Sequence, residues 1–244
     1  MVRLATDDRP ALLCLQELPV WSLTRLESWS GMRAVADVTE RPTIGPLPSS
    51  AELGRIITDL NHGLFRSAFT GQANAILLGT GLRVLEHRHL VLNSFRFRRA
   101  QARRLGLSPD VRRAWRKNRR VCQVIRVGWD KGTFVLANLH ATGSSDKRLA
   151  DAELLRAAVF ADGLAQPDEP VLLCGDFNLS VANSRMLETL TEPEWGFTGP
   201  TPSGIDHVLV RGFAAGPPEP WPPERRMLDG RLLSDHPPVD REVG

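Results

Sequence analysis

No apolar run in the 244-residue sequence approaches the ~18–20 residues that a membrane-spanning helix needs. A secretory leader is also missing from the opening MVRLATDDRP, where Asp7 and Asp8 stand in place of an apolar stretch. The expected compartment is therefore the cytoplasm. Cysteine is scarce: Cys14, Cys122 and Cys174 each lie inside an apolar, strand-like run. An odd number in such settings predicts buried, reduced thiols and excludes a disulfide framework. No histidine pair has zinc-ligand spacing either, which argues against a zinc site.

What is present is ordinary in bulk and uneven in detail. Hydrophobic residues make up 42% and charged residues 24%, enough to bury a sizeable core. Net charge is only +3, yet Arg96–Arg120 holds eleven Lys/Arg against one acid, Asp110. Such a concentration favours phosphate-bearing partners. Phe95, Phe97 and Trp115 are interleaved with it, so it could follow a nucleic-acid backbone with aromatics stacking on bases. A phosphoinositide-like head group, or a solvated and partly mobile basic helix, are the alternatives.

Periodicity predicts a strand-rich core with helices outside, in one domain. Strands are expected at Ala11–Leu18, Met32–Val38, from Asn74, through LRVLEHRHLVL, and at VCQVIRV and GTFVLANLH. The last two form a hairpin around Asp130-Lys131-Gly132. The Pro-rich stretch Arg41–Pro48 is expected to be a loop. A helix capped near Ser49–Ser50 is expected to carry Leu53, Ile56, Ile57 and Leu60 on one face. The strongest helix is Asp146–Leu164, with Leu149, Leu154, Leu155, Ala158 and Val159 available for packing. PVLLCGDFN then reads as a strand, Val181–Leu190 as a helix and IDHVLV as a strand.

The ends of these strands carry polar groups foreign to a core. They are Gln16 and Glu17; Asn138 and His140; Asp176 and Asn178; Asp206; and Asp235 with His236. Side-chain alternation aims His140 with Asn138, and Asp176 with Asn178, to common sides, while Gly175 allows close approach to the backbone. Hard oxygen ligands suit Mg²⁺ or Mn²⁺, and a histidine beside a carboxylate can act as a general base. A cation, an activated water and donors for developing charge are the parts that phosphate-ester hydrolysis needs.

In order, QE, NLH, GDFN, IDH and SDH resemble the endonuclease/exonuclease/phosphatase superfamily, over roughly Ala11–Val239. The resemblance implies an α/β (α+β) fold, a four-layer α/β sandwich of two packed, mostly antiparallel sheets with helices outside. It makes residues 1–244 a single domain with the basic excursion 96–120 inside it. It also makes Glu17 the principal metal ligand, places Asp235 near the metal, and sets Asp176 to orient or deprotonate the attacking water. Asn178 is expected to hold a phosphate oxygen or the surroundings of the metal. His140 is expected to contact the scissile phosphate, and His236, paired with Asp206, to contact phosphate or act as acid or base. Which of Asp176 and His236 is the general base stays open. Asn138 and His207 have backbone satisfaction as their equal alternative.

The resemblance further implies a strand reading roughly T-W-N upstream of Gln16–Glu17, and Met1 stands where the next helix should be in progress. Either Met1 is internal to a longer protein or the chain is a degraded relative. The sequence contains no tyrosine, which the abasic-site branch uses near NLH. The expected function is a Mg²⁺- or Mn²⁺-dependent phosphoesterase, with a nucleic acid or nucleotide favoured. The alternatives are a catalytically silent, basic nucleic-acid-binding module or a phosphatase acting on a phosphorylated lipid or inositol.

Overall fold

The computed structural model describes residues 1–44, 47–60 and 69–244. These divide into two compact units, Val2–Leu82 and Arg83–Gly244.

The N-terminal unit runs α1 (Val2–Thr6), β1 (Leu12–Leu18), α2 (Leu26–Ser30) and β2 (Arg33–Glu40). It continues with the two-residue strands β3 (Thr43–Ile44) and β4 (Leu47–Pro48), α3 (Ala51–Leu60) and β5 (Gln72–Leu78). Its antiparallel sheet has the order β1-β5-β2. Leu26, Met32, Ala75 and Leu77 form its core, with Leu13, Leu15 and Leu18 packed against them. Ser50 caps α3 as expected, its Oγ accepting from the Leu53 amide at 3.2 Å. The predicted packing face does not follow: Leu53 and Ile56 are exposed. The side chains of Ile57 and Leu60 lie outside the described residues.

The C-terminal unit contains β6 (Arg83–Val91), α4 (Phe95–Arg104), α5 (Pro109–Trp115), β7 (Val121–Trp129) and β8 (Gly132–His140). Then come α6 (Arg148–Asp162), β9 (Val171–Asp176), α7 (Arg185–Thr191) and β10 (Asp206–Arg211). Short strands β11 (Glu219–Pro220), β12 (Met227–Leu228), β13 (Arg231–Leu232) and β14 (Val239–Asp240) complete it. The five-stranded sheet has the order β10-β9-β8-β7-β6, antiparallel except for the parallel pair β8–β9. A parallel pair needs a crossover, and α6 supplies it. Ala150, Ala157, Ala158 and Ala161 let this helix lie close on Val135, Ala137, Leu139 and Leu173. Val159, expected to pack, is 55% exposed, and the segment expected to open α7 at Val181 is a turn until Ser184 caps Arg185. The predicted mixed α/β fold of mostly antiparallel sheets and helices is thus the one found. The basic segment carries two helices, α4 and α5.

One strand direction decides where the chemistry lies. β8 and β9 end, and β7 and β10 begin, at the same edge of the sheet. The register pairs His140 with Asp176, and Asp176 with Asp206.

Gly175 serves the sheet. With φ +131°, a Cβ at this position would lie 2.0 Å from the Leu139 carbonyl oxygen on the neighbouring strand. Gly175→Ala therefore has to displace β8 from β9 and should cost at least about 3 kcal/mol. The measurement is the urea midpoint at constant m value; an unchanged midpoint overturns this reading of the glycine.

Candidate active site

The site grows from the register. Asp206 opens β10 opposite Asp176, the last residue of β9, so two carboxylates sit side by side on adjacent strands. Asp176 is buried, and burial together with the Asp206 charge raises its carboxyl to about 6. His236 arrives on the segment after β13 and hydrogen-bonds through Nδ1 to Asp206 Oδ2. Its Nε2 faces Asp176 Oδ2 at 3.8 Å and Asp235 Oδ1 at 3.6 Å. The Asp206 hydrogen bond, aided by the charges of Asp206, Asp176 and Asp235, raises the imidazole to about 9 against the opposing effect of burial. An imidazolium thus lies among the carboxylates and balances them.

On the other side of Asp176, His140 Nε2 lies 3.5 Å from Asp176 Oδ2. Arg120 Nη1 stands 2.9 Å from each ring nitrogen of His140. Arg120 can donate only to the ring nitrogen that carries no proton, so one nitrogen of the neutral imidazole accepts and the other keeps its N–H. Burial, Arg120 and His236 all push His140 well below the usual histidine range, so it is neutral. Two histidines about one carboxylate are therefore tuned in opposite directions.

Asn178 reaches the site by a route that strand alternation does not provide. The strand stops at Asp176, and Asn178 takes φ +52°, folding back so that its amide donates to Asp176 Oδ1 at 2.8 Å. Its Nδ2 donates to Asp176 Oδ2 and to the Ala141 carbonyl, both at 3.1 Å. Glu17 also has positive φ, +55°, in the N-terminal unit, where Gln16 and Glu17 form a bulge opposite Asn74. Non-glycine residues in this region are uncommon and gather at functional positions. Glu17 is exposed, and Asp235 is 95% exposed at its side chain.

Asn138 and His207 do not join the row. Asn138 is fully buried within β8 opposite Gln123. His207 accepts from the Thr201 amide at Nδ1 (2.9 Å) and donates from Nε2 to the Leu179 carbonyl (2.8 Å). Burial lowers its pKa, so it is a neutral brace for two loops.

Three residues of the site neighbourhood escaped the sequence reading as individuals. Arg120 was one cation among eleven, yet it is buried, and its Nε–H has no partner among the described residues. Its signal was a charge placed directly before the apolar strand that pairs with the His140 strand. Lys147 donates from Nζ to the Asn178 carbonyl at 2.9 Å. Glu153 lies wholly buried on α6, its Oε2 accepting from the Thr142 amide (2.7 Å). Its Oε1 accepts from Thr142 Oγ1 (2.8 Å) and Trp115 Nε1 (2.5 Å). One carboxylate thereby ties α5 to the loop that follows His140. Trp115, expected to stack on bases, is instead 1% exposed and committed to this contact.

A hard divalent cation is what such carboxylates suit in kind. Among the described residues, however, no group of three or more His, Cys, Asp or Glu is arranged to hold a metal ion. Both Asp176 oxygens are occupied by Asn178, and Asp206 by His236. The described residues of the C-terminal unit do not by themselves make a coordination shell.

The sequence profile of the Endonuclease/Exonuclease/phosphatase family matches residues 1–236. The chain belongs to this family. Its enzymes are hydrolases, phosphatases and nucleases among them, and are generally dependent on divalent metals. No curated protein matches the chain by sequence. Among solved structures, an endonuclease/exonuclease/phosphatase from Bacteroides vulgatus is 15% identical, with TM-score 0.65, covering 100% of this chain and 88% of its own. The human nocturnin catalytic domain, solved with bound sulfate, is 14% identical, with TM-score 0.62 and coverage of 99% and 86%. The mannosyl-6-phosphatase of Bacteroides thetaiotaomicron is 15% identical, with TM-score 0.62 and coverage of 100% and 88%. At these identities the family members share the fold. None of the helices described is long and apolar enough to cross a membrane.

Two predictions follow the electrostatics. Because the folded pKa of Asp176 is raised, the carboxyl favours the native state below pH 4, and that contribution is lost as pH rises through about 6. In EDTA, Asp176→Asn carries a constant cost because its amide N–H₂ faces an Asn178 donor, and on top of this its stability relative to the parent should rise by roughly 2–3 kcal/mol between pH 4 and pH 7. Urea titrations across pH 4–8 check this; a pH-independent gap overturns it. Glu153→Gln sets an amide N–H₂ against a donor and should cost about 2–4 kcal/mol, whereas Trp115→Phe removes one N–H and should cost about 1–2 kcal/mol. Equal, negligible losses in denaturant midpoint would show that the buried clamp does not hold the two segments.

Proposed function

We propose that the chain hydrolyses a phosphate ester, with Asp176 as general base and His236 as general acid. The observation that carries this reading is the row His140–Asp176–Asp206 along one sheet edge, with His236 and Asn178 folded onto it. A carboxylate near 6 is matched to accepting a proton from water at neutral pH. An imidazolium near 9 is still charged there and can give its Nε2 proton to a leaving oxygen. Asp206 holds Nδ1, fixing the ring and stabilising its cationic form. Arg120, whose Nε–H has no partner among the described residues, and the ring N–H of neutral His140 are donors for a phosphoryl oxygen on which charge develops. Asn178 keeps the base in place.

The reading includes a requirement for Mg²⁺ or Mn²⁺, for which the family resemblance supplies Glu17 and Asp235. Bound there, such an ion would supply Lewis-acid polarisation of the phosphoryl group and a water of lowered pKa. The phosphatase and the sulfate-bound nocturnin domain among the fold neighbours support a phosphate-like anion as ligand. A nucleic acid or nucleotide is the favoured substrate, and three cysteines held in no disulfide, Cys14, Cys122 and Cys174, suit the cytoplasm.

The test is a Mg²⁺/Mn²⁺ screen over plasmid DNA, RNA, nucleotides and sugar or inositol phosphates. Asp176→Ala and His236→Ala should each lower kcat/KM by at least about 10²-fold. Full turnover in excess EDTA, or in either variant, would falsify the proposal. For the assigned roles, kcat/KM should rise through about pH 6 and fall through about pH 9. An alkaline limb that stays flat to pH 10 removes His236 as the acid.

A further inference from the structure

The basic segment has an address. It leaves the sheet after Val91, the end of β6, and returns at Val121, the start of β7. Those two ends lie at the edge that carries His140, Asp176 and Asp206. Its last residue, Arg120, touches His140. Whatever lies along the segment is therefore led to the site.

The segment is also firmly built. Ser108 Oγ caps α5 by accepting from the Val111 amide, and Asn93 takes the Arg120 amide while donating to the Trp115 and Asn118 carbonyls. Arg148 donates to the Leu105 carbonyl at 2.9 Å, and Trp115 is held by Glu153. The apolar residues of the pair, Ala102, Leu107 and Trp115 with Phe97, pack inward against Leu149. Phe97 is further covered by the Arg156 guanidinium at 4.4 Å.

What remains outside is charge. Nine of the eleven cations are exposed, Arg98 and Arg120 being the exceptions. On α4, Arg96, Arg99 and Arg103 recur at i, i+3 and i+7, a single stripe about 10 Å long. That length equals about three base-pair steps of duplex DNA. Phe95, 69% exposed, is the one aromatic of the segment left in the open.

We propose that α4–α5 is a rail for the sugar–phosphate backbone of a polynucleotide, bound without regard to sequence and leading one phosphodiester to Arg120. This deepens the hydrolase reading, on which it rests only for what becomes of the bound strand. With Trp115 and Phe97 turned inward, the stacking platform that single-strand binders use is largely missing, so phosphates supply the affinity. A lipid surface fits less well. A membrane-lying helix presents its apolar face outward, and here that face is buried in the unit. A single phosphorylated head group calls for a concave pocket, whereas these cations are strung along two convex helices.

The experiment uses the full chain and the variant Arg96→Gln/Arg99→Gln/Arg103→Gln. Anisotropy of labelled 30-nucleotide duplex DNA, single-stranded DNA and RNA is followed over a salt series in EDTA, so that binding is read without turnover. Parent and variant should melt within 2 °C of each other (approximately), because the three side chains are exposed. The variant should bind at least about tenfold more weakly, with the slope of log K against log salt reduced by about 2–3, near 0.9 per lost contact on duplex. With metal restored, kcat/KM on plasmid should fall with binding, while that on bis(4-nitrophenyl) phosphate should stay within about twofold. Unchanged binding, or loss confined to phosphatidylserine vesicles, overturns the rail. So does an equal loss on the small ester. Parent protein that binds polynucleotide through these arginines yet hydrolyses no ester upholds the rail and rejects the hydrolase reading. Ester hydrolysis without arginine-dependent binding does the reverse.

Discussion

Two like charges placed against each other by strand register are the constraint around which the C-terminal unit is organised. Asp176 and Asp206 stand opposite one another on β9 and β10, and Asp176 is almost shut off from water. Left alone, such a pair would be costly to ionise. The fold answers with positive charge and with hydrogen bonds. His236 sits on Asp206, Asn178 donates one hydrogen bond to each oxygen of Asp176, and Arg120 stands one residue further along the edge. The same balance that makes the edge tolerable gives its groups unequal proton affinities, which is what acid–base chemistry needs.

Stability and chemistry pull apart here. Gly175 has no room for a side chain, and Asn178 has a backbone angle few residues accept. Glu153 is a carboxyl held in the interior by three donors, and burial raises its pKa against their pull. Each feature taxes the native state locally, and each lies within a few residues of the row. The apolar mass of α6 on the sheet supplies the surplus that lets these features persist.

Much of this was legible in the chain, for identifiable reasons. Strand β9 is a continuous apolar run, and β7 and β8 are apolar runs interrupted only by Gln123, Arg126 and Asn138 before their ends, so both their extent and their polar ends could be read directly. His140, Asp176, Asp206 and His236 do meet, although no local rule brings the last of them to the second. The residues that escaped are those whose meaning depends on a partner far away in sequence. Arg120 is a surface cation until β7 is paired with β8. Trp115 is a stacking platform until Glu153, 38 positions on, claims its N–H. Asn178 was placed by alternation, but the strand had already ended. Ile56 and Leu53 carried a helical period that the structure leaves in solvent, a reminder that amphipathic spacing states where a face is and not whether anything covers it.

β6 and β7 are antiparallel neighbours, a pair that two turn residues suffice to join. Residues 92–120 occupy that connection instead, packed as a self-capped helical insert whose two stems leave adjacent strands. Such a cassette can lengthen, shrink or change its surface in the course of descent without disturbing a single rung of the ladder beneath it. Arg120 apart, what the exposed face of this connection admits is thereby separable from the row of polar residues at the sheet's edge, and relatives that keep the row are free to diverge by rewriting that face.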